Sequence, residues 1–320
     1  YTFLGGYMAV SWSNLFQGTL MFFTLLLVPL AVVVKLGGFG PALESLYIQS
    51  PSFFQFCNGE TGWSAVSIIA GGLGVGFCYF GMIHVHTSFM SIRHSAEIKD
   101  STLIATVWVG ITSYCAVFIG MLGAYLFPAI ADPEQVFFQM GADYFPPYLL
   151  GLFAAAVMAA VLSSVSAYVI VASAAVGTNL IKHFIKDIDD AKIVKAERIS
   201  VVIICLISFL LSLKSDVVFS IALLASAGLG ACFGPLVLFS LYTKNVNRIG
   251  AVASIITGLI TVVVWYYSGL SNYIYEAIPG FIFSTIALVI GTAVSGGPDE
   301  DSVKEFETFK TALKNNKSTK

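Results

Sequence analysis

Eight long stretches of this chain carry charged side chains only at their edges, and that feature decides which folds are open to it. They fall at 13–35, 64–90, 102–129, 147–181, 196–213, 216–242, 249–268 and 277–295. A bilayer hydrocarbon core of about 30 Å takes roughly 20 apolar residues to cross as helix. Inside it every backbone polar group must be paired within the protein, which leaves helices as the spanning form for runs of this length. The expected fold is therefore an all-α membrane protein with eight transmembrane helices. Composition agrees: of 320 residues 57% are hydrophobic and 11% charged, too little polar surface for a water-soluble domain. The net charge of −2 and the absence of any recognition motif give no nucleic-acid partner.

The loops orient the spans. Basic loops hold Arg93 and Lys99, then Lys182, Lys186, Lys192 and Lys195, then Lys244 and Arg248, then the C-terminal lysines Lys304, Lys310, Lys314, Lys317 and Lys320. The loops between them hold Glu44 and Glu60, then Asp132, Glu134 and Asp143, then Glu276; Lys35 and Lys214 are single exceptions. This alternation supports eight spans, and the positive-inside rule puts the basic loops and the C-terminus in the cytoplasm of a plasma-membrane protein. Two regions follow: a transmembrane domain over 1–295 and a cytoplasmic tail over 296–320, either a short surface helix or disordered. The chain begins with Tyr1, and the expectation is a piece of a longer chain. Its five cysteines are too scattered for a disulfide framework or a metal cluster. No catalytic pattern stands out in the tail, and the chain is not expected to be an enzyme or to need a cofactor.

Three apolar runs contain more than filler. The second holds Gly71, Gly72, Gly74, Gly76 and Gly81. Glycine costs a helix about 1 kcal/mol against alanine. Such a cluster reads either as close helix packing, with Gly72 and Gly76 at the small-residue spacing, or as a helix that unwinds at membrane depth where backbone lines a site. Tyr79 follows the glycines, and His84 and His86 lie near the end of the run, where a structural role is the simpler reading. The sixth run holds Gly228, Gly230, Gly234 and Pro235, read as packing or as a kinked gate.

The fourth run reads AAVLSSVSA across its middle. Ala156, Ala160, Ser163, Ser164 and Ala167 recur at spacings of three and four and form one face of small residues. The hydroxyls either bond back to their own helix or, with the Ala160 carbonyl, gather three oxygens for a cation. A hard cation such as sodium needs several oxygens, so a second element would have to complete the shell. No Asp, Glu, Lys or Arg lies mid-span, and proton-driven carriers ordinarily keep one there, which favours sodium as coupling ion.

YTFLGGYMAVSWSNLFQGTLM, CYFGMIH, AAVLSSVSA, GACFGPLVLFS, RIGAVASIITG and IPGFIF, in this order over nearly the whole chain, resemble the sodium/solute symporter family and within it the proline-carrier branch. The resemblance implies sodium-coupled symport of a small organic solute, proline or a similar amino acid. It also implies that the eight helices are the C-terminal part of a leucine-transporter-like inverted-repeat fold, spans six to thirteen of that branch. It places sodium on Ala160, Ser163 and Ser164, and the solute beside Val75, Tyr79 and Ile83. Gly76, Gly81, Gly234 and Pro235 become candidate helix-break or gating positions. The chain departs from the branch at Val75 and Ile83, where proline carriers have tryptophan and proline, at Ser88 for an arginine, and at Asn245 for a basic residue. A small carboxylate is therefore an alternative solute, and a transporter-like sensor or an inactive fragment is an alternative role.

Overall fold

The computed structural model describes residues 2–185, 188–213 and 218–318. Lys186, Lys214 and Lys320, counted above among the loop charges, lie outside the described residues, as do Asp216 and Val217 at the start of the sixth run and the side chains of Lys314 and Lys317. Among the described residues every regular element is helical. The order is α1 (Thr2–Lys35), α2 (Phe39–Gln49), α3 (Trp63–Cys78), α4 (Ile83–Met90), α5 (Ile98–Leu126), α6 (Val136–Tyr144), α7 (Pro147–Ala174), α8 (Lys182–Phe184), α9 (Asp190–Ser212), α10 (Val218–Tyr242), α11 (Arg248–Tyr267), α12 (Ala277–Val294) and α13 (Glu300–Ser318), with short 3-10 turns between several of them.

Among the described residues seven helical segments are long and apolar enough to cross a membrane: Gly5–Lys35, Trp63–Gly81, Ser95–Leu126, Pro147–Phe184, Ser220–Tyr242, Arg248–Tyr267 and Ala277–Val294. The chain is thus a multi-pass membrane protein. The expected span at 196–213 is the one not among them. It falls in α9, whose first turns carry Asp190, Lys192, Lys195, Glu197 and Arg198, so the uncharged part is only Ile199–Ser212.

The chain divides into two compact units. One comprises the described residues of 1–59 and 87–213. Its core joins Val28 and Val32 of α1, Leu46 of α2, Ile119 and Leu122 of α5, Met140 of α6 and Phe153 of α7. Bulky side chains fill this core, and the Phe145 and Phe153 rings meet edge to face at 4.7 Å. Helices α2 and α6 lie in segments expected to be loops, yet Leu46 and Met140 are fully buried. Helix α7 starts where Pro146 is extended (φ −61°, ψ 148°) and Pro147 occupies the first turn, a position that needs no amide donor. It continues through a π-helical stretch, Ala175–Ile181, where Thr178 Oγ1 donates to Glu197 Oε1 of α9 at 2.8 Å.

The other unit comprises the described residues of 60–86 and 214–320. Its core is made mostly of small groups, Cys78, Ala227, Ala231, Val262 and Ala277, with Met82 beside them. Small residues let helix backbones approach closely, which is what holds helices together in lipid. A Cβ on Gly258 of α11 would lie 2.6 Å from the Ala231 carbonyl oxygen of α10. The buried Ser254 and Ser284 hydroxyls bridge α11 and α12 at 2.7 Å. Asn247 caps α11 by accepting from the Gly250 amide at 2.8 Å, and its Nδ2 donates to Ser295 Oγ at 2.6 Å and to the Gly297 carbonyl at 2.7 Å. The tail takes the helical of its two expected forms: Asp299 accepts from the Arg248 amide at 3.1 Å, and Phe306 of α13 is buried.

Candidate functional site

On α7 the small-residue face presents three oxygens together. Ser163 Oγ donates to the Ala160 carbonyl at 2.9 Å, and Ser164 Oγ donates to the same carbonyl at 3.2 Å. Ala160 and Ser163 are half-buried and Ser164 is exposed. Each hydroxyl has used its proton and keeps its lone pairs, so the cluster is a set of neutral acceptors suited to a hard cation. Ser166 has a different environment. All three serines back-bond to their own helix, the ordinary bonding of a membrane helix, but Ser166, which donates to the Leu162 carbonyl at 2.6 Å, is buried. The three serines of one short sequence thus divide into an accessible pair and a buried structural one. Ala160 also borders a mainly apolar cavity of about 370 Å³, with Thr24, Gly120, Phe137 and Ala156 among its walls.

In the other unit the glycine-rich run is interrupted. Helix α3 ends at Cys78, a 3-10 turn covers Tyr79–Gly81, Met82 is extended (φ −77°, ψ 100°), and α4 starts at Ile83. Both readings of the glycines apply, at different residues. A Cβ on Gly81 would fall on the Leu229 carbonyl oxygen and lie 2.7 Å from Gly230 Cα, so the turn sits directly on the α10 backbone. A Cβ on Gly230 would lie 2.8 Å from Cys78 Cβ, which locks the same crossing from the other side. For Gly72 and Gly76, the pair at the packing spacing, nothing stands within 4 Å of where a Cβ would be, so they make no close contact among the described residues.

The expected solute-lining residues all stand at or beside this interruption, and all are exposed: Val75 at 38%, Tyr79 at 56% and Ile83 at 37%. Val75 of α3 and Tyr79, the cap residue whose backbone is still helical, are one turn apart and share a face. Ile83 is four residues further on but beyond the extended Met82, so helical register does not carry it to that face. In α10, Pro235 is fully buried inside one continuous helix, and a Cβ on Gly234 would lie 2.7 Å from Phe281 Cε2.

Two residues add to the site beyond those singled out for it. Tyr275, in the connection before α12, packs its ring on Gly74 of α3, with Cδ1 2.9 Å from where a Cβ would be, and its hydroxyl donates to the Leu223 carbonyl of α10 at 2.8 Å. Burial above all, then Cys78 and Glu276, keeps that phenol well above its ordinary range, so it stays a donor. Its sequence signal was only an aromatic at a helix entry. The second is His86, whose Nε2 lies 2.8 Å from the Phe80 carbonyl inside the turn.

Comparison with known proteins places these features in a family context. The model of the "Sodium:solute symporter family" matches residues 1–258. The chain is 35% identical over 325 residues to the osmoregulated proline transporter OpuE of Bacillus subtilis, covering 99% of this chain and 65% of that protein. It is 32% identical to the high-affinity proline transporter PutP of the same organism, covering 98% of this chain and 67% of that protein. It is 34% identical to the sodium/proline symporter of Escherichia coli, covering 96% of this chain and 62% of that protein. The chain therefore spans about two thirds of the length of these relatives.

Proposed function

The chain belongs to the sodium:solute symporter family, and from that premise we propose that it carries the ion-coupling and solute-lining elements of a sodium-driven symporter for proline or a similar small amino acid. In this reading α9 completes a set of eight spans in a leucine-transporter-like inverted-repeat fold, with residues 1–295 in the plasma membrane and 296–320 in the cytoplasm. Sodium is the coupling ion and alternating access the cycle.

The observation that carries the reading is the pair of Ser163 and Ser164 hydroxyls gathered on the Ala160 carbonyl in the charge-free middle of α7. Neutral oxygens at short range replace part of an ion's hydration without leaving a fixed negative charge in lipid. Tyr79, Val75 and Ile83 line the solute, and the Tyr79–Gly81 turn supplies backbone that a regular helix keeps to itself. Gly76, Gly81, Gly234 and Pro235 are positions where this backbone, or α10 beside it, adjusts during the cycle. The driving force suffices: about 2.3 kcal/mol per sodium at about 100 mV, plus about 1.4 kcal/mol from a tenfold gradient, concentrates a neutral solute roughly 500-fold.

The test is uptake of radiolabelled proline in vesicles holding the complete protein. Ser163→Ala with Ser164→Ala should raise the half-saturating sodium concentration at least about tenfold, equivalent to about 1.4 kcal/mol, with unchanged protein level. Retained sodium affinity in the double variant removes these residues from the site. Val75 and Ile83, aliphatic and exposed, also suit a second solute class, small organic acids. A panel of amino acids and carboxylates, assayed with sodium and then with potassium, separates the two.

A further inference from the structure

The interruption after Cys78 raises a question that sodium coupling alone does not answer: what holds an opened piece of backbone in one conformation at membrane depth? An α-helix satisfies each carbonyl with the amide four residues on. The extended Met82, at ψ 100°, breaks that ladder between α3 and α4. A carbonyl that loses its helical partner invites alternative turns unless another donor takes its place. At Phe80 a side chain takes over: His86 Nε2 donates to the Phe80 carbonyl at 2.8 Å.

The geometry follows from the direction of helical side chains. They lean toward the N-terminus of their own helix and cover the turn before them. His86 lies in the first turns of α4, so its imidazole reaches back across the break. In the tautomer that carries its proton on Nε2, the ring supplies a donor to this carbonyl from beyond the break. Phe80 is the centre of the three-residue turn, flanked by Tyr79 and by Gly81, the residue seated on the α10 backbone. One hydrogen bond therefore restrains the carbonyl between the exposed Tyr79 and the buried Gly81.

We propose that His86 is a positioning residue for the solute site: by bonding the Phe80 carbonyl it holds the Tyr79–Gly81 turn, and with it the Tyr79 side chain, in the conformation that receives solute. This rests on the assignment of Tyr79 to the solute site. His86 itself touches no solute. Its role differs from a proton relay, because the bond goes to a neutral backbone oxygen that cannot pass a proton on.

The experiment uses His86→Leu, which keeps bulk and removes the donor, and His86→Gln, which keeps an N–H donor of similar reach. Two quantities are read in membranes holding the complete protein. The first is sodium-driven proline uptake, split into half-saturating concentration and maximal rate. The second is the rate at which N-ethylmaleimide alkylates Cys78, followed on its own peptide by mass spectrometry. Cys78 is 1% exposed and directly precedes the turn, so it reports loosening without needing transport.

His86→Leu should raise half-saturation about tenfold with a maximal rate within about twofold, and speed Cys78 alkylation severalfold. His86→Gln should return both toward the parent. Parent-like Cys78 alkylation in His86→Leu overturns the proposal, and so does a glutamine variant no better than leucine. Faster alkylation with unchanged half-saturation also overturns it, because the bond would then brace the fold without placing Tyr79. If the leucine variant fails to reach the membrane, the glutamine variant decides alone: slow Cys78 labelling supports the role and fast labelling ends it. If the parent shows no sodium-driven proline uptake, the transport reading fails, while the alkylation arm still tests the hydrogen bond.

Discussion

Helix α7 and the segment from α3 to α4 handle the same difficulty, polar groups within an apolar run, in opposite ways. On α7 the backbone stays helical past the serines, and the added polarity is in side chains that bond back to their own helix at 2.9 and 3.2 Å. Between α3 and α4 the backbone itself opens, and the added polarity is main chain, met from outside the turn by His86 and held in place by contact with α10. The first solution barely constrains packing, since its polar atoms need no neighbouring helix. The second depends on one, and its position is set by where a foreign backbone can come close. The two regions should therefore respond differently to small changes in side-chain volume and polarity.

The largest contrast is expected at Gly81. An added methyl there meets the Leu229 carbonyl and the Gly230 Cα, both backbone, with no flexible side chain to move aside. Overpacking of this kind costs about 3 kcal/mol. Gly81→Ala should lower the thermal midpoint of the purified protein by several degrees and reduce its level in the membrane. A midpoint equal to the parent's would mean that the turn does not rest on α10, and the contrast with α7 would collapse.

On α7 the corresponding change is milder. Ser163→Ala and Ser164→Ala each remove a hydroxyl bonded within its own helix, and even side-chain hydrogen bonds across helices average only about 0.6 kcal/mol in membrane proteins. Each variant should melt within a degree or two of the parent while its sodium response shifts as described above. A loss of stability as large as that of Gly81→Ala would show that these hydroxyls are packing groups after all, as Ser166 is.

How much of this could be read beforehand follows from the same contrast. Uncharged runs and loop charges were enough for the membrane class, because spanning lipid imposes a length and a polarity that each run reports by itself. Helix α9 is the exception in this respect: Glu197 and Arg198 at the head of its apolar stretch leave only Ile199–Ser212 uncharged. Helices α2 and α6 escaped notice because each buries little more than one stripe, Ala42 with Leu46 and Met140 with Gly141, within segments punctuated by glycine and proline. The serine cluster was legible since its oxygens meet within one helix turn. Which glycines pack was legible only in part: Gly230 and Gly234, at the packing spacing in the sixth run, each meet a neighbour within 3 Å. Gly72 and Gly76 have the same spacing, yet among the described residues nothing stands within 4 Å of where their Cβ would be, whereas Gly81 meets Gly230 across a stretch of sequence far longer than any spacing rule covers. For the same reason Tyr275 was invisible: its partners, Gly74 and Leu223, are assembled only by the fold.

The smallest expected effect is the most informative about the opened segment. Gly76 lies in α3 one turn before the break, and among the described residues an added methyl there has nothing within 4 Å. Removing a glycine from a helix interior should favour the helix by up to about 1 kcal/mol, partly by restricting the unfolded chain. Gly76→Ala should therefore melt at or slightly above the parent. If uptake is also unchanged, the glycine freedom of this run matters only at Gly81, and the break is a fixed feature held by α10 and His86. If Gly76→Ala is more stable yet transports several-fold more slowly, the helix must flex one turn upstream of the break during the cycle. Stability and transport measured on the same preparation thus distinguish a permanently opened helix from one whose opening moves.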